Sequence, residues 1–175
     1  METRSRKQQG KSKSVFVTVG TTKFDKLIET VCSASTLKCL QMLGYQEVLL
    51  QIGAGEFEPG KSEVQGISVD YYKFKPSIKG DIESADLVIS HAGAGSCLET
   101  LGAGKKLLVV INDELMGNHQ LELAYQLHKD QHLYYCTCRN LVETLETADF
   151  NKLVPFKPGK PEIFAQFLDK MMGFT

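Results

Sequence analysis

The stretch from Asp86 to Leu101 reads DLVISHAGAGSCLETL, and it places an apolar run, a glycine-rich turn and a helical pattern in direct succession. The run Asp86–Ser90 has no regular polar alternation, which predicts a strand buried on both faces. The turn His91–Gly95 follows it, and a helix is predicted from Ser96 to about Ala103. A strand that passes through a glycine-rich turn into a helix is typical of a βαβ unit.

Apolar strands and helical patterns also alternate along the chain on both sides of this stretch. Further strands are predicted at Val15–Val19, Val48–Ile52, Ile67–Phe74, Leu107–Ile111 and Leu133–Cys136. Further helices are predicted at Phe24–Val31, Thr36–Leu43, Pro76–Ala85, Asn118–Lys129, Leu141–Thr147 and Glu162–Met172. The polar segment Glu56–Gln65 is predicted to be a surface loop. This alternation indicates the α/β class, with a Rossmann-like, doubly wound, mostly parallel sheet.

A chain of 175 residues is long enough for one domain with its own core. We divide it into a basic tail at residues 1–14, which we expect to be disordered, a Rossmann-like domain at 15–154, and a final segment at 155–175. The final segment combines a linker with an amphipathic helix at 162–172. The apolar face of that helix either packs on its own domain or docks a partner subunit, and the sequence leaves both open.

Charge and composition exclude several classes of protein. The tail carries five basic side chains and one acid, whereas the other 161 residues carry 15 basic and 20 acidic ones. An acidic body argues against nucleic-acid binding, which needs clustered Lys and Arg. The chain has no run of about 18 apolar residues and no signal-peptide pattern, so we expect a cytoplasmic protein. Five cysteines in irregular spacing fit reduced thiols, and we interpret Cys136 and Cys138 as packing residues.

Two predicted strand-to-helix connections are rich in small residues. The first contains Gly20, Thr21 and Thr22, and the second contains His91, Gly93, Ala94, Gly95 and Ser96. Small residues let backbone N–H groups and the positive end of a helix dipole approach an anion, so both loops are candidate phosphate sites. Neither loop matches the dinucleotide fingerprint or the P-loop, and NAD binding and ATP hydrolysis are therefore poorly supported. The alternative for the second loop is a tight turn with a helix cap at Ser96.

Glu99 follows Ser96 by three residues, and this spacing has two interpretations. In a capping box, the Glu99 carboxylate would accept the backbone N–H of Ser96. Near a nucleotide phosphate site, the same carboxylate would instead accept hydrogen bonds from both hydroxyls of a ribose. The spacing is compatible with both.

A third loop, Asn112–Gln120, follows an apolar strand and ends in the polar cluster Asn118, His119 and Gln120. Side chains of these types donate and accept hydrogen bonds, as needed to bind several sugar hydroxyls or a diphosphate. The alternatives are an N-cap role for Asn118 and a surface position for His119. The chain has no Asp-x-Asp for a divalent metal and no G-x-S-x-G nucleophile motif, so we expect neither a metal site nor a cofactor.

Three segments together resemble a known family. They are VFVTVGTT at 15–22, DLVISHAGAGSCLETL at 86–101 and NHQLELAYQL at 118–127. They are similar to the cytosolic catalytic subunits of two-chain UDP-N-acetylglucosamine transferases, which add the second GlcNAc to dolichol-diphosphate-GlcNAc. These subunits belong to glycosyltransferase family 28, and the resemblance covers about residues 14 to 140.

The resemblance implies one half of a two-domain GT-B glycosyltransferase, the half that binds the donor UDP-GlcNAc. It places the ribose at Glu99, the diphosphate at residues 93–96 and the GlcNAc at residues 118–120. The first loop at 20–22 would face the cleft. His91 would also contact the donor, although bacterial single-chain relatives usually have Arg at this position.

The resemblance also implies a membrane-anchored partner that supplies the acceptor half and recruits the chain to the cytosolic face of the endoplasmic reticulum. The implied reaction is metal-independent transfer with inversion, in which His119 is a candidate general base. A non-catalytic nucleotide-sugar-binding regulatory module is the alternative. A soluble sugar-nucleotide epimerase should have two such domains, and 175 residues speak against it.

Overall fold

The computed structural model describes residues 12–64, 66–114 and 118–157. Most of the predicted basic tail and the whole predicted helix 162–172 lie outside these ranges. Both interpretations of that helix, intramolecular packing and partner docking, therefore stay predictions.

Within the described ranges, seven strands form one sheet in the order β3-β4-β2-β1-β5-β6-β7. The strands are β1 (Ser14–Thr18), β2 (Glu47–Gln51), β3 (Ser62–Val64), β4 (Ile67–Tyr72), β5 (Leu87–His91), β6 (Lys106–Ile111) and β7 (Tyr134–Thr137). All neighbouring strands are parallel except β3, which is antiparallel to β4. The predicted α/β class with a mostly parallel sheet is confirmed.

The prediction of a surface loop at Glu56–Gln65 is wrong in part, because this segment contains β3. All three residues of β3 are exposed, so the strand has no buried face. Backbone pairing with β4 holds it in place, with Glu63 opposite Ser68. A short edge strand without buried side chains has no apolar pattern that sequence analysis can detect.

The connections between strands are mostly helical. The helices are α1 (Asp25–Val31), α2 (Ala34–Met42), α3 (Lys79–Ser84), α4 (Ala94–Gly102), α5 (Asn118–Lys129) and α6 (Leu141–Thr147), with 3-10 turns at Cys138–Asn140 and Phe150–Lys152. Three starts differ from prediction by two or more residues: α2 begins two residues before Thr36, α3 begins three residues after Pro76, and α4 begins two residues before Ser96. Before α3, the Ser77 hydroxyl accepts the backbone N–H of Lys79 at 3.2 Å, a local turn that delays the helix.

Helices cover both faces of the sheet, and this explains the solid apolar strands. In β1, Val15 and Val17 belong to the core on one face, and Phe16 belongs to the core on the other. The first core packs against α1, α2 and α6, and the second packs against α3, α4 and α5. Because each face is buried, successive residues of a central strand are all apolar.

The chain reverses its direction of winding between β1 and β5. From β1 it proceeds outward through β2 to β4, whereas β5, β6 and β7 are added on the other side of β1. In open parallel sheets, ligands bind at such a switch, outside the carboxyl ends of the strands. The loops after β1 and β5 therefore lie where a ligand site is expected.

Two further sequence predictions concern cysteines and membrane segments. Cys136 and Cys138 are buried in the core, as predicted, and all five cysteines are free thiols. Within the described part of the chain, no helix combines the length and hydropathy needed to cross a membrane.

We expect Phe16→Ala to lower the free energy of unfolding by about 3–5 kcal/mol, because the ring lies in the middle of the sheet and is only 1% exposed. Urea unfolding followed by circular dichroism measures this change. Met42→Ala, at a side chain that is 77% exposed, is the control and should change the value by less than about 0.5 kcal/mol. Equal effects of the two variants would contradict the assignment of the core.

Candidate functional site

The first glycine loop is a tight turn held by a buried hydrogen-bond relay. Gly20 has a φ of +63°, a conformation that favours glycine. Its N–H donates to Oγ1 of Thr18 at 3.1 Å, and the Thr18 hydroxyl donates in turn to Oε1 of Gln51 on β2. Thr18 and Gln51 are both buried, so the relay satisfies polar groups that water cannot reach.

The rest of this loop faces solvent at the carboxyl edge of the sheet. The Thr22 hydroxyl donates to the carbonyl oxygen of Val19 at 2.8 Å, which closes the turn. Thr21 and Thr22 are both exposed. The loop therefore presents its backbone and two small polar residues at the switch between β1 and β5.

The imidazole of His91 fills the space between the two glycine loops. A Cβ atom added to Gly20 would lie 2.8 Å from Nε2 of His91, and a Cβ added to Gly93 would overlap the same ring. Both positions therefore require glycine as long as the ring stays in place. The structure thus brings His91, Gly20 and Gly93 together, with one imidazole ring between the loops.

His91 remains neutral in this position. Burial lowers the pKa of its imidazole from 6.5 to about 4, because the charged form would lose its hydration. Near neutral pH the ring can therefore donate one hydrogen bond and accept another, but it carries no charge.

The second loop leads directly into α4, whose start has no side-chain cap. Gly93 occupies the N-cap position, and the first helical bond runs from the N–H of Cys97 to the Gly93 oxygen at 3.1 Å. The backbone N–H groups of Ala94, Gly95 and Ser96 thus have no partner within the helix. The alternative of a cap at Ser96 is wrong, because Ser96 is the third residue of the helix.

Glu99 projects from the exposed side of α4, and the capping box is wrong as well. Since Ser96 is not a cap, its pairing with Glu99 does not occur. Among the described residues, the Glu99 carboxylate forms no hydrogen bond or ion pair. It lines a surface cleft of about 430 Å³ between α3 and α4, together with Lys79 and Glu83, which pair with each other at 3.9 Å. Its role toward a ribose stays a prediction.

The third predicted cluster lies at the start of α5. The helix begins at Asn118, which makes Asn118 its first residue and not the cap before it. Because β6 is parallel to β5 and adjacent to it, the loop after β6 emerges at the same edge as the glycine loops. The side chains of residues 118–120 lie outside the described part of the structure, and their roles stay predictions.

The turn Gly53–Gly55, which sequence analysis places at the end of a strand without a role at the site, follows β2 and supports the first loop. The N–H of Ala54 donates to the carbonyl oxygen of Thr22 at 3.1 Å. Gly53 has a φ of +58°, and a Cβ added there would lie 2.8 Å from the Gly20 oxygen. The signal was a second pair of glycines at the carboxyl end of a strand next to β1.

Two histidines outside the predicted site, His128 and His132, contact backbone oxygens elsewhere. Nδ1 of His128 is 3.0 Å from the Leu133 oxygen, and Nδ1 of His132 is 2.9 Å from the Val154 oxygen. Leu133 precedes β7, so His128 is bound near the opposite edge of the sheet. In the ranges that the structure describes, no group of three His, Cys, Asp or Glu side chains is arranged to hold a metal ion.

Comparisons with known proteins give a family match over most of the chain. The profile of the glycosyltransferase family 28 C-terminal domain matches residues 14–171. A human protein named UDP-N-acetylglucosamine transferase subunit ALG13 is 59% identical over 129 residues, which is 74% of this chain. The chain spans only 11% of the length of the human and mouse relatives of that name.

Solved structures show the same fold. A solution structure of ALG13 superposes with a TM-score of 0.69 at 26% identity, covering 90% of this chain and 95% of the other. The glycosyltransferase of kitacinnamycin superposes with a TM-score of 0.59 at 19% identity, and the match covers 98% of this chain but 42% of that one. The chain thus corresponds in fold to about half of a GT-B enzyme.

We expect Gly20→Ala to destabilise the chain by more than backbone strain alone, since the new Cβ also meets the His91 ring. Gly60→Ala is the matched control, because Gly60 has a φ of +74° but has no atom within 4 Å of an added Cβ. Backbone strain costs about 1 kcal/mol or more at both sites. The excess at Gly20 should shrink when His91→Ala is added, and additive effects in this double-mutant cycle would refute the contact.

The pKa of His91 also predicts how stability depends on pH. In the unfolded chain the His91 imidazole binds a proton below about pH 6.5, whereas in the folded chain it does so only below about pH 4. The free energy of unfolding therefore falls as the pH falls through this window. His91→Gln removes this titration. The free energy of unfolding should therefore fall by up to about 3 kcal/mol more in the wild type than in His91→Gln between pH 7 and pH 4. Parallel pH profiles of the two proteins, measured by urea unfolding, would contradict the burial of a neutral imidazole.

Proposed function

The chain belongs to the glycosyltransferase family 28 C-terminal domain family, and on that premise we propose that it is the donor-binding catalytic subunit of a two-chain GlcNAc transferase. In this proposal it transfers GlcNAc from UDP-GlcNAc to dolichol-diphosphate-GlcNAc, with inversion at the anomeric carbon and without a metal ion. One observation carries the proposal. The His91 ring contacts Gly20 and Gly93, and Gly93 leads into α4, whose start has no side-chain cap.

The start of α4 suits the diphosphate of a nucleotide sugar. Three backbone N–H groups, from Ala94 to Ser96, lack helical partners, and the helix dipole adds a partial positive charge there. Gly93 and Gly95 keep side chains out of the way, so an anion can reach the backbone. His91 adds a neutral donor. These groups can stabilise the charge that develops on departing UDP, which is the role a metal has in other transferases.

Glu99 is the residue proposed to bind the ribose. It lies five residues beyond Ala94, which is about 7.5 Å along the axis of α4. A ligand with its phosphates at the helix start can therefore extend along the helix toward this carboxylate. The exposed Glu99 carboxylate, which has no protein partner in the described ranges, can accept both ribose hydroxyls.

The sugar and the reaction are assigned to the third loop. Residues 118–120 begin α5 at the same edge of the sheet, next to the second glycine loop. The acceptor hydroxyl attacks the anomeric carbon, the bond from that carbon to the UDP oxygen breaks, and the hydroxyl proton passes to a base. His119 is our candidate for that base.

We propose that the acceptor half of the enzyme is supplied by a second chain. In fold, this chain matches less than half of a two-domain relative. Its human relative is named a transferase subunit. We propose a membrane-anchored partner that binds the dolichol-linked acceptor and recruits this chain to the cytosolic face of the endoplasmic reticulum.

A transfer assay tests the proposal. The full chain is added to microsomal membranes depleted of their own donor-binding subunit, with labelled UDP-GlcNAc and dolichol-diphosphate-GlcNAc, in the presence of EDTA. We expect transfer only when chain and membranes are combined, with product of inverted configuration. Calorimetric titration of the chain alone with UDP-GlcNAc measures donor binding separately.

Two variants and one control assign the roles of residues. Glu99→Ala should weaken UDP-GlcNAc binding roughly 10- to 100-fold, since hydrogen bonds to a charged group contribute about 1.5–3 kcal/mol. His119→Ala should lower transfer by about 10²-fold or more with little change in binding. Glu29→Ala, at an exposed glutamate of α1, should change neither. Donor binding without transfer under any condition would favour the regulatory module, and no binding at all would overturn the proposal.

A further inference from the structure

The first glycine loop is held from two opposite sides. On one side, the His91 ring contacts Gly20 so closely that a Cβ there would lie 2.8 Å from Nε2. On the other side is the turn Gly53–Gly55, whose Ala54 N–H donates to the Thr22 oxygen. The relay through Thr18 fixes the start of the loop at Gly20, and the hydrogen bond from Ala54 fixes its end at Thr22.

The turn has backbone hydrogen bonds of its own, from Gly53 N–H to the Lys73 oxygen at 3.2 Å and from Gly55 N–H to the Ile52 oxygen at 3.1 Å, and one carboxylate fixes the residues that follow it. Oδ1 of Asp25 accepts the backbone N–H groups of Glu56 at 3.1 Å and Phe57 at 3.3 Å. Gly55 packs directly on the same oxygen and leaves no room for a Cβ atom. Lys23 lies 3.6 Å from Oδ2, and the Asp25 side chain is only 21% exposed. Hydrogen bonds to an ionised acceptor in a partly buried position are stronger than ordinary ones.

The Asp25 carboxylate does not cap its own helix. It is the first residue of α1, and neither it nor Phe24 at the N-cap position provides a side-chain cap for that helix. The hydrogen bonds of its carboxylate go instead to residues 56 and 57, which are 31 and 32 positions away in the chain. The carboxylate therefore links the start of α1 to the turn after β2.

We propose that Asp25 is a positioning residue of the donor site, which acts through the Gly53–Gly55 turn on the loop Gly20–Thr22. The inference rests on the proposed function and adds to it a residue that lies outside the glycine loops. Without the carboxylate, the turn moves away from Thr22, and the first loop loses its support opposite His91. Donor affinity falls because a displaced loop no longer matches the geometry of the bound donor.

Two readouts on the full chain test the inference. Asp25→Ala should speed amide exchange at Ala54 at least tenfold, measured by NMR, because its hydrogen bond to Thr22 opens more often. The same variant should weaken UDP-GlcNAc binding roughly tenfold, the equivalent of one lost hydrogen bond. Asp25→Asn keeps an oxygen acceptor at the Oδ1 position and should restore both values to within about threefold.

The matched control is Asp149→Ala. Asp149 also accepts a backbone N–H, from Asn151 at 3.1 Å, and lies 4.0 Å from Lys152, but it is remote in sequence from the glycine loops and contacts none of them. A merely structural role for Asp25 predicts that both alanine variants shift the thermal midpoint alike and leave donor affinity unchanged. That result would overturn the inference.

A further variant covers the case in which Asp25→Ala does not fold. Gly55→Ala places a Cβ against Oδ1 of Asp25 and should produce the same pair of changes, faster exchange at Ala54 and weaker donor binding. Unchanged values in a folded Gly55→Ala protein would overturn the inference while the proposed function stands. If the wild type itself fails to bind UDP-GlcNAc, the proposed function fails, whatever the exchange rates are.

Discussion

The parallel pairing of β1 with β5 is the constraint on which the rest of the site depends. Thr18 lies opposite Ser90, so the loops that follow these strands emerge side by side at one edge of the sheet. His91, the last residue of β5, then has its ring between Gly20 and Gly93. Because the ring occupies this space, it sets both the separation of the two loops and the side-chain size that each can carry.

The site is built mainly from backbone groups, and this has an energetic consequence. Glycine loses more conformational freedom on folding than other residues, so a loop rich in glycine needs compensation. Here the buried relay from Gly20 through Thr18 to Gln51 and the hydrogen bonds of Asp25 provide it. These interactions join β1, β2 and α1, so the core of the domain supports the loops directly.

Strands with a strong apolar pattern were predicted correctly from the sequence, and a strand without one was not. Central strands such as β1 and β5 are buried on both faces, and their residues showed this directly. β3 has no buried residue and left no pattern. Ser96 is a residue type that caps helices well, yet α4 begins at Ala94 because Gly93 already adopts the extended conformation of a cap. Local preference could not distinguish between two starts separated by two small residues.

The sequence by itself determined the α/β class, the order of most elements and the three loops that carry candidate site residues. These features are predictable because strands, helices and turns are encoded by residues close together in the chain, through the spacing of apolar residues and the position of glycines. Only the tertiary structure decided that His91 separates the glycine loops, and that Asp25 and Gln51 support the first of them. These contacts join residues 31 or more positions apart, or lie across adjacent strands, and they exist only once the sheet has set the strand order and register.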